Sequence, residues 1–473
     1  MVRLISTVVS GLLLTLWAPV SLAGGMEYTE NSATILGRDG AFTAHGNHPL
    51  AIHYNPAGLM VGEGHRIYVG ANATQLNLRF TRSGIDEALE QGQYDSATIE
   101  NQAPAYIAPS AAYVWSNERW GLGLGVYGPG GNGTRSYPKD GPQRTMLVNS
   151  ELLLAYITGT AAYRLDSRVS LGLSLQWVTS PAARFGLTVD GGPSASFDAS
   201  QADSVGYLSL AEAELEVQDL AAFSAIIGVH MRPASFYELG LAVRPLPTQM
   251  DAEGDVSLSF PNGTLSNMYE KGNLKLVNQQ GDDEYGIRFK YTLPPWIRLG
   301  QRLIKRDAEG REVADLELDI SYEFWRVMDA YHVTFNGLLQ VYNSTEVLEP
   351  MSLKKDWKDT IAVRLGGSWS LLPDRLKLRG GVHYETGAMP ETLTNIDFLA
   401  YTRMGGAIGL GLTLGPVEVN VAYQHVFQPT REITDSQVAI QRPLDPADEP
   451  LYVGNGTYES SFQTLALGLS AQF

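Results

Sequence analysis

There is no cysteine among the 473 residues. Disulfide scaffolds, thiol catalysis and thiolate metal sites are therefore excluded. After residue 23 no apolar run is long enough to cross a bilayer as a helix, which takes about 20 residues. Positive charge is scarce: 34 Lys and Arg stand against 51 Asp and Glu, a formal net charge of −17. Such a chain lacks the basic face that nucleic acid requires. Gly-x-Ser-x-Gly, a Walker loop and His-Glu-x-x-His are missing too, which argues against the enzymes built on those motifs.

What is present begins with an export signal. Arg3 supplies the positive start, Leu4 to Trp17 the apolar region and Ser21-Leu22-Ala23 a small-residue cleavage site. Cleavage after Ala23 is expected, with Gly24 as the mature start. The rest of the chain alternates. Leu465, Leu467, Leu469, Ala471 and Phe473 interleave with Ala466, Gly468, Ser470 and Gln472, and a strand sends such sets to opposite faces. The same pattern runs through 121–126, 171–177, 408–414 and 417–423. A chain that is exported, has no helical anchor and is built of amphipathic strands fits a membrane barrel, because closing the sheet pairs every backbone group. The 49 glycines and 23 tyrosines agree: glycine relieves crowding on an inner face, and tyrosine suits the interfacial girdles.

The connections give the strand count. Tight turns are expected at Ser116-Asn117-Glu118, Asp166-Ser167, Arg232-Pro233-Ala234, Arg306 to Gly310, Leu372-Pro373-Asp374 and Gly415-Pro416. Between them lie long polar stretches at 83–104, 129–149, 190–206, 261–284, 344–356, 388–402 and 430–456. Short periplasmic turns alternating with long outward loops are the outer-membrane pattern. Met328-Asp329-Ala330 reads as one more turn and makes the count odd. Taking 311–343 as one long strand, with a bulge near Trp325 to Asp329, restores an even count of fourteen. The expected fold is all-β, a 14-stranded antiparallel transmembrane β-barrel. Phe473 ends its last strand on the periplasmic side, and that strand pairs with one starting near Arg66.

Residues 24–64 show no sustained period of two. They form either a disordered periplasmic tail or a plug inside the lumen. The expected organisation is a signal peptide at 1–23, a hatch at 24–64 and the barrel at 65–473. His45, His48 and His53 match no strict metal spacing, so polar plug residues are the better reading. Neither metal nor cofactor is expected. Asp282-Asp283-Glu284 and Asp445 to Glu449 offer clustered oxygens for Ca²⁺, but a solvated loop accounts for them more simply. Arg184 either meets a substrate carboxylate or belongs to a lumen charge network. Leu153, within Leu152 to Leu154, and Leu208, within Leu208 to Leu210, either line an outer groove or face lipid.

Gly37-Arg38, Ala41 to Ala44 and Asn55-Pro56-Ala57 resemble the amino-terminal hatch of the FadL family of outer-membrane transporters. Trp120 to Gly128 resembles that family's third strand. Trp357-Lys358-Asp359, Arg364-Leu365-Gly366, Leu378 to Gly381, Tyr423 to Phe427, Gly456-Thr457-Tyr458 and Leu467-Gly468-Leu469 resemble its later elements, in family order. Gly128 to Gly133 departs from the pattern in being more glycine-rich. The resemblance implies passive uptake of long-chain fatty acids or other hydrophobic compounds, aromatic hydrocarbons among them. It implies capture in an extracellular apolar groove, a pocket against the hatch and lateral exit through a gap at the third strand. That gap falls at Tyr127, Gly128 and Pro129, where an ordinary strand-to-loop boundary is the plainer reading. The implied partners are hydrophobic small molecules, outer-membrane lipid and lipopolysaccharide, and the barrel-assembly machinery, around a monomer. Two other functions fit a barrel: an outer-membrane enzyme acting on lipids, and a general diffusion porin.

Overall fold

The computed structural model describes residues 26, 31–83, 97–128, 134–190, 210–259, 269–278, 285–441, 450 and 452–473. The signal sequence, Pro129, Leu208 and both acidic clusters lie outside these residues.

The chain forms a closed antiparallel barrel of fourteen strands. Its wall consists of β1 (Gly64–Arg82), β2 (Tyr106–Ser116), β3 (Trp120–Tyr127), β4 (Asn149–Arg164), β5 (Val169–Asp190) and β6 (Leu210–Ala234). β7 runs Tyr237–Arg244 and resumes at Thr248–Ser259; β8 runs Gly286–Leu293 and Trp296–Arg306. β9 runs Glu312–Glu323 and Ala330–Asn336, and β10 runs Met351–Lys354 and Thr360–Leu372. β11 (Leu376–Glu385), β12 (Arg403–Leu414), β13 (Val417–Phe427) and β14 (Gly456–Gln472) complete it. The seam closes β14 on β1 from Arg66 opposite Gln472 to Arg82 opposite Gly456. All six expected tight turns join neighbouring strands. The predicted interruption of β9 is present, but it is a 3₁₀ turn at Trp325–Val327 and not a bulge. The Trp325 indole is fully buried and donates to Glu323 Oε2 at 2.7 Å.

The outer face carries the apolar belt. Leu122, Leu124 and Val126 of β3 and Leu465, Leu467 and Leu469 of β14 are all half or more exposed. An apolar girdle of this extent is stable against lipid and not against water.

Inside the ring lies the segment 31–62, folded as α1 (Ala33–Leu36), α2 (Ala51–Tyr54) and a 3₁₀ turn at Pro56–Val61. Ser32 caps α1 through Oγ to Ile35 N at 3.2 Å. The segment approaches β3, β5, β8 and β12 at Gly121, Gly172, Gly300 and Gly409, strands from all round the ring, and so occupies the lumen. At Gly300 an added Cβ would lie 2.8 Å from Ala44 N, and at Gly409 one would lie 2.9 Å from Gly37 Cα. These wall positions exclude any larger residue because the inner backbone sits directly against them.

Candidate functional site

The inner segment is fastened mainly by carboxylates of β9. The Arg38 guanidinium, fully buried, donates to Asp315 Oδ1 at 2.6 Å, Glu317 Oε2 at 3.0 Å and Ser368 Oγ at 2.7 Å. Asp319 Oδ2 accepts from Phe42 N, Thr43 N and Thr43 Oγ1 at 2.9, 2.9 and 2.7 Å. Glu317 Oε1 accepts from Ala44 N at 2.6 Å. On the neighbouring arc, Asp39 meets His383 Nδ1 and Gln424 Nε2, both at 2.7 Å. Charge-assisted bonds of this kind are the strong ones.

Asn55, Pro56 and Ala57 form a local knot. Asn55 Oδ1 accepts from Ala57 N at 3.2 Å, while Pro56, which has no N–H, starts the 3₁₀ turn. Asn55 Nδ2 donates to Thr43 O and to Val229 O of β6, both at 2.9 Å. One side chain thus caps a turn, ties two parts of the inner segment together and joins them to the wall.

His45, His48 and His53 do not converge. They pack on Phe42 (4.6 Å between ring centres), Tyr68 (4.6 Å) and Tyr127 (5.1 Å) respectively. Burial lowers the pKa of each. That of His48 falls to about 3; Glu418 opposes the shift, while Arg379 and Arg66 add to it. His53 is held down by burial first, and then by the positive charge of Arg298 and Arg244.

Among the described residues β3 pairs with β2 up to Ser110 opposite Tyr127, and with β4 up to Tyr127 opposite Tyr156. Arg135 and Ser136 pair with Ser150 and Asn149 of β4. Tyr127 is buried at the end of β3. Its hydroxyl bonds to Thr158 Oγ1 and accepts from Gln176 Nε2, both at 2.8 Å, and its ring stacks on Tyr156 at 5.7 Å. At Gly128 an added Cβ would lie 2.7 Å from Leu154 O.

An apolar pocket fills the end of the barrel that carries the long connections. It contains about 820 Å³ of empty space, open solvent included. Phe185, Leu187 and Val189 of β5, Ala213 and Leu215 of β6, and Phe289 of β8 form one side of it. Met146, Leu276 and Leu348 reach in from the connections and Met351 from the start of β10, and Asn395, Asp397 and Gln441 add the polar groups.

A slip in register makes this wall apolar. In the lower part of β5, Leu171, Leu173, Leu175 and Trp177 face out. The β5–β6 ladder then shifts between Val178 and Ser180 and again between Ser180 and Ala183. Above the shifts Phe185, Leu187 and Val189 face in, and Arg184 faces out. β6 changes phase over the same stretch: Ala222 and Ile226 are buried below, and Leu215 and Val217 above. Asp219 holds the bulge, with Oδ1 accepting from Ala221 N at 2.8 Å and Oδ2 from Asp251 N at 2.7 Å. Strict alternation would have turned Arg184, Glu214 and Glu216 inward.

Arg184 is accordingly neither a pocket residue nor a lumen residue. It bonds Glu216 Oε1 through Nε at 3.1 Å and Nη2 at 2.7 Å, and lies 3.5 Å from Glu151, on the outer surface. Leu153 is half-buried on the outward face of β4, opposite Ala182, and does not line the pocket. Sequence reasoning missed Phe185, Leu187 and Val189. Their signal was the small polar run Thr179-Ser180-Pro181, a place for a bulge in a long strand.

A fourteen-stranded barrel with a lipid-facing belt and a folded segment in its lumen is an outer-membrane channel with an internally filled pore. The chain belongs to the outer membrane protein transport protein family (OMPP1/FadL/TodX), whose profile matches residues 14–473. Members are transport channels for hydrophobic compounds and not enzymes. Among solved structures, a FadL homologue of Pseudomonas aeruginosa superposes with a TM-score of 0.73 at 16% identity, covering 95% of this chain and 100% of the other. The toluene transporter TodX of P. putida gives 0.66 at 14% identity, covering 95% and 99%. The toluene transporter TbuX of Ralstonia pickettii gives 0.64 at 16%, covering 94% and 99%. At these identities the likeness is one of fold. No curated protein sequence matches the chain.

Proposed function

We propose that the protein carries long-chain fatty acids or other hydrophobic compounds passively across the outer membrane. Capture takes place in the apolar pocket, the inner segment 24–64 acts as a hatch that rearranges, and the compound leaves sideways at Tyr127, Gly128 and Pro129. The pocket carries this reading, because an alkyl chain gains about 0.8 kcal/mol for each CH₂ it buries. The end of the β3–β4 ladder at Tyr127, among the described residues, supports the lateral step, which releases the compound into hydrocarbon and avoids water. The carboxylate fastening of 38–45 supports a hatch that closes the pore to ions. The same reading has the signal peptide removed after Ala23, and the mature chain acting as a monomer in contact with lipopolysaccharide.

The mass of any apolar compound that co-purifies with the folded barrel is the direct test. A bound fatty acid or hydrocarbon is expected, and a barrel that carries no apolar compound and takes up none from vesicles rules the reading out. Deleting 24–57 should convert a nearly silent protein into one with large ion conductance in planar bilayers. Free conduction by the intact protein would instead favour the porin.

A further inference from the structure

β6 and β7 are not zipped along their whole length. Tyr237 to Val243 of β7 pair with β6 between Ala234 and Ile227, and Glu253 to Ser259 pair with Gln218 to Glu212. Between these two ladders 219–226 faces 244–252 without pairing, and every residue of both stretches is described. Each stretch is held on its other side. Residues 222–226 pair with β5, and Thr248 to Ala252 pair with β8. The break therefore lies between two strands that are otherwise in place.

The sequence builds this opening. Pro245 and Pro247 have no N–H to give to a ladder, and Pro294-Pro295 interrupts β8 beside them. Asp219 takes two more backbone donors at the upper edge, Ala221 N at 2.8 Å and Asp251 N at 2.7 Å. Fewer backbone groups are thus left without a partner than an open ladder ordinarily exposes, which lowers its cost at the membrane. Two hydroxyls in the opening, Ser224 Oγ and Thr248 Oγ1, have no partner among the described residues.

The opening joins two apolar regions. Immediately above it Leu215 opposes Val256 and Ala213 opposes Leu258, and all four line the outer pocket. On the outside Phe223 is 72% and Leu246 70% exposed. Phe223 lies opposite Trp177, at the top of the lipid-facing belt. The outward residues above the opening are Gln218, Glu216 and Glu253, so it sits where the belt meets the charged rim. β4, β5 and β6 separate it from Tyr127.

We propose that the opening between β6 and β7 is a second lateral portal, through which the outer pocket exchanges long-chain apolar compounds with the outer leaflet without passage across the hatch. This rests on the transport reading above and adds a route to it. A chain leaving the pocket passes from Leu215 and Val256 to Phe223 and Leu246 and then into lipid. It stays in apolar contact throughout, and each CH₂ kept from water saves about 0.8 kcal/mol.

The test uses the full-length protein in proteoliposomes. The chain has no cysteine, so a bimane attached at Leu258→Cys reports on the pocket alone. The probe is 1-bromohexadecane, which quenches bimane, supplied either dissolved in the bilayer or from water on cyclodextrin. Ser224→Trp fills the opening from the inner side and Ala225→Trp from the outer side, with assembly followed by heat-modifiable mobility. Displacing such a side chain costs about 1–3 kcal/mol, so either variant should slow quenching from the bilayer about tenfold or more. Quenching from water should be unchanged. Ile227→Trp, on the outer face where the ladder is intact, should leave both rates as they are. Ala225→Trp decides the matter if Ser224→Trp does not assemble. Equal bilayer rates in the filled variants and the parent overturn the proposal, because the probe then reaches the pocket by another way. If the probe quenches the pocket label from neither side, the transport reading fails by itself. The opening is then tested alone, with phospholipids brominated in their acyl chains. They should quench a bimane at Ser224→Cys and not one at Ala242→Cys, which is buried on the intact ladder. Equal quenching at the two positions, or none at Ser224→Cys, overturns the proposal in that case too.

Discussion

Gly240→Ala adds one methyl group to the inner face of β7. The added carbon would run into the Thr43 carbonyl oxygen and lie 2.6 Å from its carbon and 2.9 Å from Ala44 Cα. Ordinary contact begins near 3.4 Å, so the hatch backbone must retreat by more than about 0.8 Å, the oxygen lying nearer than the carbon. The wall cannot yield instead, because Gly240 is paired in the β7–β8 ladder opposite Gly300, which presses on the same turn of the hatch. Retreat stretches the Asn55 Nδ2 bond to Thr43 O and the three bonds to Asp319. Overpacking of this kind costs about 1–3 kcal/mol, which multiplies the undocked fraction of the hatch roughly five- to 150-fold. The chain has no cysteine, so a single Thr34→Cys reports undocking by its rate of maleimide labelling. Thr34 is 7% exposed, and its hydroxyl has no partner among the described residues. Labelling and planar-bilayer conductance should both rise in Gly240→Ala. Gly159→Ala is the control, since its methyl meets only Leu124 Cδ2 at 3.8 Å on the outer face. If the two variants label alike, the inner glycines do not seat the hatch and the close-approach argument is wrong.

Asp219→Ala removes the acceptors for Ala221 N and Asp251 N. It should destabilise the barrel by about 1–3 kcal/mol and weaken palmitate binding as Leu215 and Val217 lose their fixed phase, read by urea unfolding and by titration. The pH dependence of hatch docking follows from His48. Its folded pKa, about 3, lies below the unfolded value near 6.5, so docking is fully stable above about pH 6.5 and weakens as acid is added towards pH 3. The loss is about 2 kcal/mol between pH 6.5 and 5. Thr34→Cys labelling should rise over that range and flatten in His48→Gln; a flat profile in the parent refutes the assignment. Arg184→Ala should leave uptake unchanged, because Arg184 bonds only to outer-face glutamates; a fall in uptake would return it to the route. Gly128→Val should slow uptake without raising ion conductance if the proposed lateral exit lies there, because the new side chain meets Leu154 O at the end of β3.

How much of this was legible follows from how local the signal was. The seam was readable because Leu465 to Phe473 alternates without interruption, and the parity of the turns then fixed its partner. Asn55-Pro56-Ala57 was readable as a turn, since capping by Asn and the missing N–H of Pro act within three residues. That Asn55 also reaches Val229 was not, because 174 positions separate them. The pocket was hidden for a further reason. Its apolar wall exists only above the slip at Val178 to Ala183, and a slip inverts every assignment beyond it. Arg184 and Phe185 exchange faces on that account alone.

The two ways the hatch is held suggest how a closed pore can still pass a lipid. Residues 38–45 are fixed by carboxylates of β9 and by His383 and Gln424. Towards β3 the contacts are of another kind: Ile52 and Leu59 press on Gly123, and His53 rests on Tyr127. Ser174 Oγ bonds Ile52 O at 2.6 Å, a neutral tie, and the charged Arg66 holds Leu59 O at 2.6 Å further along. A neutral hydrogen bond contributes about 0.5–1.5 kcal/mol and a charged one about 1.5–3, so the stretch around Ile52 and His53 yields before 38–45. On the proposed route a rearrangement of 50–54 would clear the way to Tyr127 while 38–45 keeps the pore closed to ions. Uptake without conductance requires that separation of strong and weak fastenings, and disrupting the Arg38 cluster should abolish it where disrupting the Ile52 contacts does not.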